Sequence, residues 1–150
     1  MSQEELGHHL MPRDEVMYTI VIENDQKKIT DFVSFYNLPS QILKREGHNH
    51  TMMKVSYTIL ISNQLLQIAY LYYYSYSDLN SLLEIMKFAI WYAKEKAGFD
   101  VFNCLSIMDN AQFIQELKFG TGDGTLNFYL YNYKIKDMYL PPSLVGTVLV

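Results

Sequence analysis

The stretch KFGTGDG, Lys118 to Gly124, sets three glycines and one aspartate into its last five positions. Glycine-rich runs of this kind often cradle phosphate, so the flanking sequence decides what this one does. A phosphate loop runs from a strand through the glycines into a helix, whose free N–H groups then face the anion. Here the order is reversed. Upstream, DNAQFIQELK offers Asp109 and Gln112 as an N-cap pair, Phe113, Ile114 and Leu117 at helical spacing, and Gly120 where a left-handed stop is expected. Downstream, TLNFYLYNY from Thr125 to Tyr133 alternates branched or aromatic residues with polar ones, the pattern of a strand. The loop is therefore expected to join a helix C-terminus, with its partial negative charge, to a strand, and phosphate is disfavoured there. No Lys-Ser or Lys-Thr follows the last glycine. What remains is a tight connection that permits positive φ and close backbone approach and presents Asp123 as a lone carboxylate.

A chain of 150 residues is one domain's worth, able to bury roughly 68–70% of the surface its unfolded form exposes. At 49% hydrophobic and 19% charged, the composition is that of a soluble globular protein. The net charge of −4 and the lack of a basic stripe argue against nucleic acid and make a basic peptide the more natural partner. Cys104 is the only cysteine, so no intrachain disulfide can form and an intracellular, cytoplasmic address follows. MSQEELGHHL lacks the charged-then-apolar order of a signal peptide. The longest apolar-rich stretch, Val55 to Ser77, is broken by Ser56, Thr58, Ser62, Asn63, Gln64 and Gln67, which excludes an integral membrane segment. Its Tyr57, Tyr70 and Tyr72-Tyr73-Tyr74 suggest one or two strands in a sheet buried on both faces.

Mixed elements follow along the chain. VMYTIVIE (Val16 to Glu23) and ITDFVSFYN (Ile29 to Asn37) read as a hairpin joined by the polar NDQKK, and Leu38 to His50 as mostly loop. Ser81 to Glu84 spells a capping box, and Leu82, Met86, Ala89, Ile90 and Ala93 share one face until Gly98 ends the helix. FDVFNCLSI (Phe99 to Ile107) is a further strand, and after Pro141-Pro142 the segment LVGTVLV (Leu144 to Val150) reads as a closing strand. A chain end normally trails into solvent, yet this one is apolar up to Val150. Two readings stay open: a hydrated, frayed end, or a terminal carboxylate held in a partly apolar site where desolvation makes it a better base toward an amine.

KFGTGDG matches the K-F-G-x-G-D-G signature of the N-myristoyltransferases, the glycylpeptide N-tetradecanoyltransferases. TDFVSFYNLPS (Thr30 to Ser40), GFDVFNCLSIMDN (Gly98 to Asn110), LNFYLYNY (Leu126 to Tyr133) and the terminal VGTVLV resemble segments of that family in the same order, and MSQEEL resembles one it carries in its interior. The resemblance covers nearly all of the chain but only the C-terminal part of a family member. Two departures stand out. Lys44 to about Gln67 fits poorly and is longer than the family's loop, leaving Tyr57 or Tyr70 as the family's substrate-contacting tyrosine; Ala69-Tyr70 and its spacing to the Ser81 helix favour Tyr70. The family's other signature, E-[IV]-N-F-L-C-x-H-K, is missing, so the acyl-CoA-binding N-terminal half is expected to be absent and residues 1–150 to be the peptide-binding C-terminal domain.

The resemblance implies an α+β, acetyltransferase-like fold, a mixed and mostly antiparallel sheet flanked by helices, forming one half of a two-domain enzyme. It implies transfer of myristate from myristoyl-CoA, a co-substrate with no further cofactor or metal, to the amine of an N-terminal glycine. An α-amine with pKa near ~8 is mostly protonated at pH 7 and must lose a proton before it can attack a thioester. In the family the chain's own terminal carboxylate takes that proton, which here is the main-chain carboxylate of Val150. On the same resemblance, Asp123 pairs with a basic residue of the peptide, Gly124 lets the peptide backbone approach, Ser40 hydrogen-bonds the substrate, and Tyr70 and Leu126 wall the groove.

Two further readings belong to other classes. The chain alone is a peptide-binding module or inactive fragment, or it is a standalone acetyltransferase-like protein, which requires a pyrophosphate-binding loop between a strand and a helix. His8-His9 and His48-x-His50 lack carboxylate or thiolate partners at ligand spacing and read as solvated, and Cys104 reads as a small core residue.

Overall fold

The two stretches richest in β-branched and aromatic residues form the hairpin their pattern predicts. In the computed structural model, which describes residues 2–41, 65–122, 124–134 and 140–148, β1 (Met17–Glu23) and β2 (Ile29–Asn37) are antiparallel, from Met17 opposite Tyr36 to Ile22 opposite Asp31. Asn24 builds the turn: its carboxamide oxygen accepts from the Gln26 and Lys28 N–H groups at 3.0 Å, and Lys27 takes φ 59°.

β3 (Ser40–Gln41) and β4 (Leu65–Leu66) make a short ladder of their own. β5 (Ile68–Ser75) pairs antiparallel with β2, and β6 (Val101–Asn103) pairs parallel with β5, so the main sheet runs β1-β2-β5-β6. A parallel neighbour needs a crossover, and α2 (Leu79–Glu95) supplies it. α2 buries Leu82, Ile85, Met86, Ala89 and Ala93 against Val33, Phe35, Ala69 and Leu71 of the sheet, joined by Phe113 of α3 (Ala111–Ile114). Each of the larger side chains among these, such as Leu82, Ile85, Met86, Val33, Phe35, Leu71 and Phe113, contributes roughly 1.5–3 kcal/mol. A smaller cluster, Met17, Tyr36, Tyr72, Ile107 and Val148, occupies the opposite face, with Leu10 of α1 (Gln3–Leu10) at its edge.

Several expectations are corrected in detail. The N-cap of α2 is Asp78 rather than Ser81, because the Asp78 carboxylate reaches the Asn80 and Ser81 N–H groups at 2.8 and 3.0 Å. The S-x-x-E capping box is instead realised at Ser2 and Glu5, which start α1. Beyond α3 the left-handed residue is Lys118, φ 57°, and not Gly120. Thr125 to Tyr133 has strand propensity but, among its described residues, no ladder, and Leu126, Phe128, Tyr129, Tyr131 and Tyr133 are exposed. Propensity holds a strand only where cross-strand donors and packing meet it. The closing strand is likewise replaced, over its described residues, by a 3-10 turn at Pro142–Leu144 and an irregular segment to Val148.

Candidate functional site

The cluster opposite α2 owes its shape to one irregularity. Along β5, Ala69 and Leu71 face α2 while Tyr70 and Tyr72 face away, as a period of two demands. The register then steps from Phe35 opposite Leu71 to Val33 opposite Tyr74, two positions on β2 against three on β5. One extra residue sits in β5, and the alternation slips. Ser34 fills the gap: its hydroxyl donates to the Tyr73 carbonyl at 2.7 Å and accepts from the Tyr73 N–H at 3.1 Å. Tyr73 therefore joins Tyr72 on the same face, their rings 4.4 Å apart, and Tyr74 returns to the α2 side.

The end of the chain comes back to this tyrosine face. The Met108 N–H donates to the Pro142 carbonyl at 3.1 Å, fixing the 3-10 turn beside the loop that leads to α3. Val145 and Val148 then pack with Met17, Tyr36, Tyr72 and Ile107, and Val148 is 9% exposed. Its N–H donates to the Tyr73 hydroxyl at 3.5 Å. Tyr70 adjoins the same cluster and stacks on Tyr36 at 5.6 Å. Burial pushes the Tyr36 and Tyr72 phenols up, with the neighbouring Tyr70 and Tyr72 adding to the shift of Tyr36 and Tyr73 to that of Tyr72. The face stays neutral at pH 7 and offers hydroxyls and aromatic surface rather than charge.

The other end of β5 leads into the α2 N-terminus, where an acetyltransferase-like fold acting alone needs a phosphate site. Carboxylates already fill it. Asp78 takes two of the first N–H groups, and the buried Asp31 accepts from the Ser77 N–H at 2.7 Å and the Ser77 and Ser81 hydroxyls at 3.1 and 2.5 Å. Burial alone raises a carboxyl, but the hydrogen bonds from Ser81, Thr30 and Ser77 outweigh it and hold Asp31 at about 2. Two fixed negative charges there repel an incoming pyrophosphate.

Of the residues singled out in the sequence, Tyr70 lies on the face that receives the chain end, and Ser40 stands just past β2 at the Tyr70 end of the sheet, where the Leu38 N–H bonds the Ile68 carbonyl. Among the described residues the Ser40 hydroxyl donates to the Leu38 carbonyl at 3.5 Å. Gly124 and Leu126 are exposed. Asp123, Val150 and Tyr57 lie outside the described residues, as do His48 and His50. Sequence reasoning passed over Ser34, Tyr36 and Tyr73. The one local sign was the run Tyr72-Tyr73-Tyr74, which no strict alternation accommodates. Among the described residues no group of three His, Cys, Asp or Glu side chains gathers as a metal site, and no helix is long and apolar enough to cross a membrane.

The sequence model described as "Myristoyl-CoA:protein N-myristoyltransferase, C-terminal domain" matches residues 1–143. The chain belongs to the N-myristoyltransferase family. It is 45% identical over 148 residues to a probable glycylpeptide N-tetradecanoyltransferase of Caenorhabditis elegans, covering 99% of this chain and 29% of that one. It superposes on Saccharomyces cerevisiae N-myristoyltransferase with bound myristoyl-CoA at TM-score 0.72 and 36% identity, covering 91% of this chain and 32% of that one. The chain thus spans just under a third of the length of these relatives. A likeness of fold alone extends to a ribosomal-protein-alanine N-acetyltransferase of Brucella melitensis, at TM-score 0.53 and 11% identity over 87% of this chain and 82% of that one. The fold of this N-myristoyltransferase segment is accordingly α+β and acetyltransferase-like, with a mixed sheet between helices.

Proposed function

We propose that this chain acts as the peptide-binding, proton-accepting part of a glycylpeptide N-tetradecanoyltransferase, in the cytoplasm. The observation that carries this reading is the return of the chain end to the tyrosine face, with Val148 buried beside Tyr36 and Tyr72 and next to Tyr70. A segment packed on such a face as far as Val148 supports a carboxylate two residues on as the base the reaction needs. The glycine α-ammonium gives one proton to the Val150 carboxylate, and the freed amine attacks the thioester carbonyl of myristoyl-CoA. As the amide forms, the C–S bond breaks and CoA leaves as the thiol, its sulfur taking a second proton lost by the nitrogen. Tyr70, Ser40 and Leu126 line the groove, Asp123 receives a basic residue of the peptide, and Gly124 admits its backbone.

The carboxylates at the α2 N-terminus support a division of labour, because this chain's own strand-to-helix corner is closed to pyrophosphate. The acyl-CoA is then held by segments that the relatives carry outside the length matched here. For the same reason a standalone acetyltransferase using a shorter acyl-CoA is disfavoured, while peptide binding without transfer describes the isolated chain.

A thioester-release assay tests this, with myristoyl-CoA and a peptide that begins with glycine and carries a downstream serine and lysine. It is run on the 150-residue chain and on an N-terminally extended form of the relatives' length. Turnover in the extended form alone is expected, as is weak or no binding of myristoyl-CoA to the shorter chain by calorimetry. Absence of turnover in both overturns the proposal.

A further inference from the structure

The C-terminal segment is steered by a device that lies far from it in sequence. A regular β5 would send Tyr73 to the α2 side, as the neighbours Leu71 and Ala69 show. The bulge opposite Ser34 turns it to the other face, and the Ser34 hydroxyl fixes both backbone polar groups of Tyr73 at once. Ser34 is fully buried, so this lock is shielded from water. The ring of Tyr73 is braced against Tyr72, and its hydroxyl is the side-chain group that receives the Val148 N–H. Among the described residues the packing of Val145 and Val148 with Met17, Tyr72 and Ile107 is apolar and non-directional, and upstream the Met108 N–H holds the Pro142 carbonyl.

We infer that Tyr73, re-aimed by the β5 bulge, is a positioning residue: through the Val148 backbone it fixes the position of the C-terminal segment on the tyrosine face. This rests on reading the terminal carboxylate as the base, since the position then sets the distance from base to amine. Tyr73 does not touch the reacting atoms. It acts on the reaction only through the segment it holds, so its effect falls on turnover and not on the binding of either substrate.

The test uses Tyr73→Phe, which keeps the ring and removes the hydroxyl. In the 150-residue chain, hydrogen exchange of the Val148 amide is expected to speed up about 5–10-fold, the equivalent of one lost hydrogen bond. The melting midpoint and the exchange of β1 and β2 amides stay as in the parent. Ser34→Ala, which unlocks the bulge, is expected to speed the same amide. In the extended, transfer-competent form, Tyr73→Phe lowers kcat and leaves KM for peptide and for myristoyl-CoA in place. Unchanged exchange at Val148 in Tyr73→Phe overturns the inference, as does a loss confined to KM. Converting the Val150 carboxylate to an amide probes the underlying reading separately. If the amidated enzyme keeps full turnover, the carboxylate is not the base, whatever the exchange shows at Val148.

Discussion

The Ser34 hydroxyl lies between the two backbone polar groups of Tyr73, donating to the carbonyl at 2.7 Å and accepting from the N–H at 3.1 Å. A serine side chain here substitutes for a missing rung of the β2–β5 ladder. Without it the bulge would leave a buried donor and acceptor unpaired. Ser34→Ala is expected to cost about 2–3 kcal/mol in urea unfolding, the desolvation penalty of those two groups. A loss below about 0.5 kcal/mol would show that the strands re-pair without the bulge.

Asp31 ties the start of β2 to the α2 N-terminus, and its carboxyl is held at about 2 against an ordinary 3.8. The folded value is the lower one, so the native state prefers the charged form. The stabilisation is complete above about pH 4 and is lost as pH falls toward about 2. Its size is on the order of 1–2 kcal/mol. Asp31→Asn should therefore be less stable than the parent at pH 7, with the gap closing as acid unfolding is followed below pH 4. A gap that stays constant down to pH 2 would detach the cluster from the acid limb.

Cys104 is half-buried beside the α2 core, and burial pushes its thiol up to about 11 from 9.0. Thiolate at pH 8 falls about 100-fold relative to the unshifted group, since each pKa unit is a factor of ten. Labelling of the native chain by a disulfide reagent at pH 8 should be slower than that of the urea-unfolded chain by at least that factor. Equal rates would mean that the β6–α3 connection opens freely.

Gly98 ends α2 with φ 74°, and the Phe99 N–H then reaches the Ala93 carbonyl at 2.9 Å. An added Cβ meets no atom within 4 Å, so the penalty of Gly98→Ala comes from the backbone alone. About 1 kcal/mol is expected in thermal unfolding, and Gly98→Asn should recover part of it, because Asn tolerates this region. Equal losses for the two variants would point to a side-chain clash.

The hairpin and the long helix rest on their own residues and were legible in the chain, whereas sequence reasoning passed over α1, although Ser2 and Glu5 cap it locally. The hairpin Met17 to Asn37 follows from two β-rich runs around Asn24, and α2 from the spacing of Leu82, Met86, Ala89, Ile90 and Ala93, of which Ile90 is only half-buried and Ile85 takes a core place. Of the expected strand Phe99 to Ile107 only Val101–Asn103 forms, and α3 follows its apolar spacing but starts after Asn110 without the Asp109 cap. The same signature could still be misplaced: S-x-x-E occurs at Ser2 and at Ser81, and only the first caps a helix. At Ser81 a competing carboxylate, Asp78, takes the N–H groups, and the Ser81 hydroxyl serves Asp31, fifty positions away. The family signature KFGTGDG likewise marked the chain's kinship before any fold was known.

Tertiary structure alone decided the rest. LNFYLYNY carries the alternation of a strand but, among the described residues, finds no ladder, and LVGTVLV lies on the sheet face without joining it as far as Val148. The tyrosine face itself depends on a hydroxyl at Ser34 and a backbone at Tyr73, 39 positions apart. Local propensity and period act over a few neighbouring residues, and so they specified which stretches fold into helix and hairpin. A bulge, a shared cap or a docked chain end is chosen by which polar groups are left unpaired once strands and helices meet, and that choice is made only in three dimensions.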